Sequence, residues 1–187
     1  MRTFNPWIGT NYFTEGLDGV RLLIIGESHY GTRGDERAEF TSEVVKEWGQ
    51  DKRSSFFTKV ATLGLGSQSG SRGWDGERAK FWEHVAFYNF IQVCLPQQRE
   101  RPLPEMWEAG KLQFTEVVLE LQPQVLLVLG AELRSHLPAL SADLQVCYSV
   151  HPSYPGFSYE PASTQLKSLL VKVRDAMPNL SARREPR

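Results

Sequence analysis

Four short runs of apolar residues constrain the fold of this chain more than any other feature of its sequence. They are rich in valine, isoleucine, leucine and phenylalanine without strict alternation, and they cover residues 20–25, 85–91, 125–129 and 146–150. Such runs are typical of strands covered on both faces of a parallel sheet. Helical patterns lie between or after them, at residues 41–48, 104–121, 131–137 and 164–176. This order predicts an α/β fold of three α/β/α layers around a central four-stranded parallel sheet.

The length and composition favour one domain of ordinary size. The chain has 187 residues, of which 41% are hydrophobic and 23% are charged, as in soluble globular proteins. We expect a single domain over residues 1–178 and a flexible basic tail over residues 179–187. Residues 64–76 are rich in glycine and serine, which predicts a mobile loop.

The number of cysteines and the first residues of the chain indicate the cellular compartment of the protein. The two cysteines, Cys94 and Cys147, are too few for a disulfide framework or for a metal site built from cysteine alone, and we expect buried thiols. No run of 18 apolar residues occurs, and residues 1–6 lack the pattern of a signal peptide. These features predict a cytoplasmic protein with no membrane partner.

Polar side chains follow the predicted strands where each strand ends. Glu27 follows the first run, Asn89 falls near the end of the second, and His151 follows the fourth. Each of them, taken alone, is compatible with a structural role in a cap or a turn. Because ligands bind outside the carboxyl ends of parallel strands, the three together predict a site that offers a carboxylate, an amide and an imidazole.

The motifs at these strand ends resemble those of the uracil-DNA glycosylase superfamily. The resemblance covers roughly residues 20–175, and three motifs carry it: Gly26-Glu27-Ser28-His29-Tyr30, then Asn89-Phe90-Ile91-Gln92-Val93-Cys94-Leu95-Pro96, and then His151-Pro152-Ser153-Tyr154-Pro155. The second motif, with Arg99, Pro102, Pro104 and Glu105 after it, is similar to the iron-sulfur branch. A uracil-DNA glycosylase-like fold is the expectation that follows.

The resemblance implies a DNA glycosylase that flips a pyrimidine out of the duplex and hydrolyses its glycosidic bond. In that family, the residue at the Asn89 position reads the edge of the base, and the residue at the His151 position stabilises charge on a base oxygen. The base would be enclosed by Gly26, Ser28, His29, Tyr30 and Phe40, the last of these stacking on it. The loop residues Ser153, Tyr154, Pro155 and Phe157 would press into the duplex.

The chain departs from the family pattern in its first motif. Ser28 stands where the best-known branch has a water-activating aspartate, so Glu27, with help from Asp35 or Glu36, is the expected substitute. His29 replaces the usual proline. These changes motivate a damaged or modified pyrimidine as the target, either of the uracil type or a hypermodified cytosine or uracil of phage DNA, with repair and anti-phage defence both open.

The remaining expectations concern partners and cofactors. Only Cys94 has a counterpart among the four cluster cysteines of the iron-sulfur branch, so we expect no metal cluster and no cofactor. With 21 basic against 22 acidic residues, DNA binding must use a local patch. The phosphate contacts are assigned to arginines in predicted loops: Arg33, Arg37, Arg72, Arg99 and Arg101. We expect a monomer.

Other activities are weakly supported by the sequence. The glycine- and serine-rich stretch at residues 66–70, Gly-Ser-Gln-Ser-Gly, has glutamine at the central position of a Gly-x-Ser-x-Gly pattern and does not lie at a predicted strand-to-helix turn, which speaks against an esterase. The four histidines, His29, His84, His136 and His151, lack metal-ligand spacing. The main alternative is a DNA-binding protein that retains the glycosylase fold without catalysis.

Overall fold

The computed structural model describes residues 2–32, 34, 36–66, 73–97 and 100–177. The strands are β1 (Trp7–Ile8), β2 (Leu22–Gly26), β3 (His29–Tyr30), β4 (Val85–Asn89), β5 (Cys94–Leu95), β6 (Val125–Leu129) and β7 (Gln145–Ser149). The helices are α1 (Phe40–Val45), continued as a π-helix over Lys46–Asp51, then α2 (Ser55–Leu65), α3 (Trp74–His84), α4 (Pro104–Leu121), α5 (Ala131–His136) and α6 (Ala162–Ala176). The fold is therefore mixed α/β.

The central sheet is mostly parallel. Its strand order is β1-β4-β2-β6-β7, and β4, β2, β6 and β7 run parallel, as the apolar runs predict. The predicted count of four strands is wrong because β1 adds a fifth, antiparallel strand, with Trp7 opposite Phe87. A two-residue strand is too short to produce a periodic pattern in the sequence. Strands β3 and β5 form a separate small sheet.

Helices pack on both faces of the central sheet. Leu22 and Ile24 of β2 belong to one hydrophobic cluster, together with buried residues of α2, α3 and α6. Leu23 and Ile25 belong to the other, which includes buried residues of α4. Successive residues of a strand point to opposite faces, so a strand covered on both sides is apolar throughout.

Helices α2 and α3 were not predicted, and they overlap the segment expected to be a loop. Gly64 and Leu65 belong to α2, and the residues from Trp74 to Gly76 belong to α3. A Cβ atom on Gly64 would lie 2.2 Å from the Cε2 atom of Phe81, so glycine here lets the two helices approach. Residues 67–72 of that loop lie outside the described residues.

The remaining structural expectations have mixed outcomes. Cys94 and Cys147 are both buried and form no disulfide in the described structure, as expected, and burial raises the pKa of Cys147 to about 11. Across the described ranges, no helix combines the length and apolar character needed to cross a membrane. The predicted tail at residues 179–187 lies outside the described part of the chain, and the single domain over residues 1–178 stays a prediction.

Candidate active site at the carboxyl edge of the sheet

Asn89 and Gly26 lie side by side at the carboxyl ends of β4 and β2. The parallel register pairs Gly26 with Asn89. A Cβ atom on Gly26 would lie only 2.3 Å from Oδ1 of Asn89, so this carboxamide can occupy its place only beside glycine. Asn89 is 5% exposed, and within the described residues no hydrogen bond reaches its carboxamide. The polar atoms of Asn89 are not among the fully buried side-chain atoms that lack a partner, so the carboxamide keeps access to solvent and is available to a ligand.

Gln92 anchors the segment that follows Asn89. Its Nε2 donates to the backbone oxygen of Asn89 at 2.7 Å, while its Oε1 accepts from the backbone N–H groups of Thr3 and Phe4 at 3.0 and 2.8 Å. The side chain is buried, so each of these hydrogen bonds satisfies a group that water cannot reach. Sequence reasoning gave Gln92 no role, since the two N–H groups that donate to it lie 89 and 88 residues away in the chain.

His151 follows β7 and is half-buried. The backbone N–H of Ser153 donates to Nδ1 of the ring at 3.2 Å, so the neutral imidazole carries its hydrogen on Nε2. Burial lowers the pKa of His151 below its usual value, and the positive charge of Lys59 lowers it further. The ring is therefore neutral at physiological pH, with Nε2–H as a donor.

Phe56 of α2 connects the two ends of the candidate site. Its ring centroid lies 5.5 Å from that of His151 and 6.2 Å from that of Phe87, and Phe87 in turn packs against Gly26. The ends of β4 and β7 are three strand spacings apart, about 14 Å. By strand alternation, Asn89 faces the side of the sheet that carries α2. Asn89 and His151 thus border one region of that face.

Glu27 lies just beyond Gly26 and is half-buried. Burial raises the pKa of its carboxyl group, the negative charge of Glu132 in α5 raises it further, and Arg101 partly offsets this effect. A carboxylate with a raised pKa is a stronger base near neutral pH. Sequence reasoning missed Glu132, although its position two residues after Gly130 at the end of β6 was a usable signal.

His29 and Phe40, both predicted to enclose the base, contact each other. His29 is 4% exposed, its Nε2 lies 2.9 Å from Oγ1 of Thr41, and its ring centroid is 5.0 Å from that of Phe4 and 4.9 Å from that of Phe40. Burial lowers the pKa of His29 to about 4. The side chain thus fills an internal position between two phenylalanines, whereas Phe40 itself is only half-buried.

The other residues of the first motif have distinct surroundings. The hydroxyl of Ser28 is buried and has no hydrogen-bond partner within the described ranges, while Tyr30 is 41% exposed in β3. Glu36, a candidate for orienting water, accepts hydrogen bonds from the backbone N–H groups of Gly34 and Cys94, at 2.6 and 3.1 Å. Its carboxylate therefore holds this loop against β5. Asp35 lies outside the described residues.

The segment from His151 to Phe157 forms two tight turns. The N–H of Tyr154 donates to the oxygen of His151 at 2.8 Å, and the N–H of Phe157 donates to that of Tyr154 at 3.0 Å. Ser153, Tyr154 and Pro155 are exposed at the tip. Phe157 instead packs partly against the hydrophobic cluster beneath.

Of the predicted phosphate-binding arginines, Arg37 and Arg101 are described and both are exposed. The guanidinium of Arg37 lies 5.0 Å from the ring centroid of Phe40 and is also paired with Glu43. The other three, Arg33, Arg72 and Arg99, lie outside the described residues. In the part of the chain that the structure covers, no group of three or more His, Cys, Asp or Glu side chains is arranged to hold a metal ion.

Two surface clefts lie away from this edge. A cleft of about 580 Å³ borders the amino ends of the strands, where Arg21, Gln124 and Gln145 line it, and a cleft of about 390 Å³ lies between Glu15 and His84. Neither contains a predicted site residue. Comparison of the sequence with protein-family models gives no match, and neither does comparison with curated proteins.

Proposed function

We propose that this protein is a DNA glycosylase that flips out a damaged or modified pyrimidine and hydrolyses its glycosidic bond, leaving an abasic site. The observation that carries this proposal is the carboxamide of Asn89, which belongs to a residue only 5% exposed, lacks a hydrogen-bond partner within the described residues and still keeps its polar atoms accessible. An amide can donate and accept at once, as the edge of a pyrimidine requires. The mixed α/β fold is compatible with a uracil-DNA glycosylase-like layout.

The proposed chemistry assigns a separate role to each polar group at the edge of the sheet. Asn89 binds the edge of the flipped base, and Nε2–H of His151 donates to the base oxygen on which negative charge develops as the bond to the sugar breaks. The base leaves with the electron pair of that bond. Water adds its oxygen to the sugar carbon and passes a proton to Glu27, whose raised pKa suits it to accept one.

The first motif favours a modified base over plain uracil. Ser28 replaces a charged aspartate with a small hydroxyl, and this buried hydroxyl lacks a partner among the described residues. It is therefore free to bond a polar substituent. Targets of this class are the hydroxymethylated or further modified pyrimidines of phage DNA, alongside damaged bases of the uracil type. The exposed ring of Tyr154 is the proposed wedge that replaces the extruded base.

Excision assays on a panel of oligonucleotides test this proposal. The oligonucleotides contain uracil, hydroxymethyluracil, hydroxymethylcytosine or glucosylated cytosine. Treatment with alkali converts each abasic site into a strand break that can be measured. We expect breaks with at least one modified base. Asn89→Ala should lower the excision rate at least about 100-fold, as the loss of a well-placed donor does in other enzymes. An unchanged rate in this variant would contradict the proposal.

Gly26→Ala tests the placement of the Asn89 carboxamide by steric means. The added Cβ would lie 2.3 Å from Oδ1 of Asn89, so the carboxamide must move and excision should fall. Gly76→Ala is the matched control, because a Cβ atom there meets nothing within 4 Å. Equal rates for the two alanine variants would show that Asn89 does not act from its observed position.

A DNA-binding protein without catalysis is the second candidate. The replacement of the family aspartate by Ser28 favours it, since the usual water-activating group is missing. In this case, the same oligonucleotides would shift in electrophoretic mobility without strand breaks after alkali. Asn89→Ala would then weaken binding of the modified base and leave unmodified DNA unaffected.

A further inference from the structure

Helix α2 holds the loop that carries His151 through two side chains one turn apart. Nζ of Lys59 donates to the backbone oxygen of Pro152 at 2.6 Å and lies 5.0 Å from the ring centroid of Phe157. The ring of Phe56 packs against His151 at 5.5 Å. Residues three apart on a helix share a face, so α2 directs both side chains at this loop.

The loop needs such an anchor. Residues 153–156 are exposed, so they have little packing of their own. A charge-assisted hydrogen bond to the Pro152 carbonyl is stronger than a neutral one and fixes the backbone directly after His151. Lys59 is itself partly buried, so the contact with the Pro152 carbonyl must offset the entropy that its long side chain loses.

The charge of Lys59 acts on the same imidazole. The groups that face the ring are Ser153 from its own loop, Phe56 from α2 and Gly130 from the end of β6, and none of these is charged. Among the described neighbours, Lys59 is the charged group that lowers the pKa of His151. Because the ammonium group of Lys59 is positive, a positive charge on the His151 ring is unfavourable beside it.

We infer that Lys59 is a positioning residue, which fixes the His151 loop through the Pro152 carbonyl and keeps the imidazole in the neutral form that donates from Nε2. The part of this inference that concerns catalysis by the protein rests on the proposed glycosylase function. The effect of Lys59 on His151 does not depend on catalysis, because this effect is present in the protein without DNA.

Three variants and two measurements test the inference. Lys59→Met removes the charge and the donor, Lys59→Arg keeps both, and Lys167→Met removes an exposed lysine of α6 as the control. The first measurement is an NMR titration of the His151 ring, assigned with a His151→Gln variant. The second is the pH profile of excision, with kcat and KM determined separately.

We expect Lys59→Met to raise the pKa of His151 by about half a unit, as the loss of a charge at a few ångströms in a solvated site does. We expect kcat to fall about tenfold, with KM little changed and a larger loss at pH 6 than at pH 8. Lys59→Arg should retain most of the activity, and Lys167→Met all of it. If Lys59→Met does not fold, Lys59→Gln, which keeps a donor without the charge, provides the same readouts.

Two results would overturn the inference: an unchanged pKa of His151 in Lys59→Met, or equal losses of kcat in Lys59→Met and Lys167→Met. Failure of the proposed function is a different result. In that case the unaltered protein excises no base, while the titration of His151 still responds to Lys59→Met.

Discussion

His29 illustrates how a single residue can be assigned from a motif and yet owe its environment to distant parts of the chain. The motif places it beside Ser28 and Tyr30, among the residues predicted to enclose a base. In the folded protein its ring fills a space between Phe4 and Phe40 and hydrogen-bonds to Thr41. The sequence shows an imidazole, whereas its burial depends on a segment near the start of the chain.

The burial of His29 predicts a loss of stability in mild acid. Its pKa is about 4 in the folded protein and about 6.5 when unfolded, so the unfolded state binds the proton more tightly. The stabilisation is complete above pH 6.5 and is lost as the pH falls from 6.5 towards 4. Between pH 7 and pH 5, the His29 contribution to the free energy of unfolding should fall by about 2 kcal/mol.

Urea unfolding of the unaltered protein and of His29→Gln, at both pH values, measures this contribution. The variant cannot titrate at this position and should lose less stability between pH 7 and pH 5. A difference of less than about 0.5 kcal/mol between the two pH-dependent losses would contradict the burial of a neutral imidazole.

Among the secondary-structure elements, the helix predicted over residues 41–48 shows what a local pattern misses. The chain forms α1 over Phe40–Val45 and then widens into a π-helix over Lys46–Asp51. At Gly49 a Cβ atom would lie 3.1 Å from the indole of Trp82, so the wide turn passes close to α3. Periodicity predicts a helix here, but the close approach of α3 determines its form.

Arg78 of α3 stabilises this π-helix from inside the protein. It is 2% exposed, and its guanidinium donates to the backbone oxygens of Gly49 and Gln50 near the end of the π-helix. Arg78→Met should lower the free energy of unfolding by about 3 kcal/mol, because buried carbonyl groups lose their donors. Urea unfolding measures the loss.

Arg174→Met is the control for this prediction, since Arg174 is exposed on α6 and pairs only with its neighbour Asp175 in the described structure. Its effect should stay within about 0.5 kcal/mol. A similar loss in both variants would mean that Arg78 contributes no more than a surface arginine.

For the whole molecule, the net charge of −1 means that the proposed DNA binding depends on where the basic side chains lie. Arg101 is exposed near Glu27 at the carboxyl edge, whereas Lys172 borders the cleft at the opposite edge of the sheet. Arg101→Gln should weaken DNA binding and reduce the slope of log affinity against log salt concentration by about one.

Lys172→Gln removes the same charge from the other edge and should leave both quantities unchanged. Fluorescence anisotropy at several salt concentrations measures them. Equal effects of the two substitutions would show that DNA does not bind preferentially at the carboxyl edge.

The sequence by itself determined the four parallel strands and the long helix α4, because these elements rest on local patterns of burial. It also determined which polar residues lie at the strand ends, because parallel strands end at the same edge of the sheet. Only the tertiary structure decided the partners of those residues. Lys59 at His151, Gln92 at the amino-terminal segment and Phe4 at His29 meet across long stretches of chain. Such contacts form only when the packed layers bring distant segments together, so no local pattern records them.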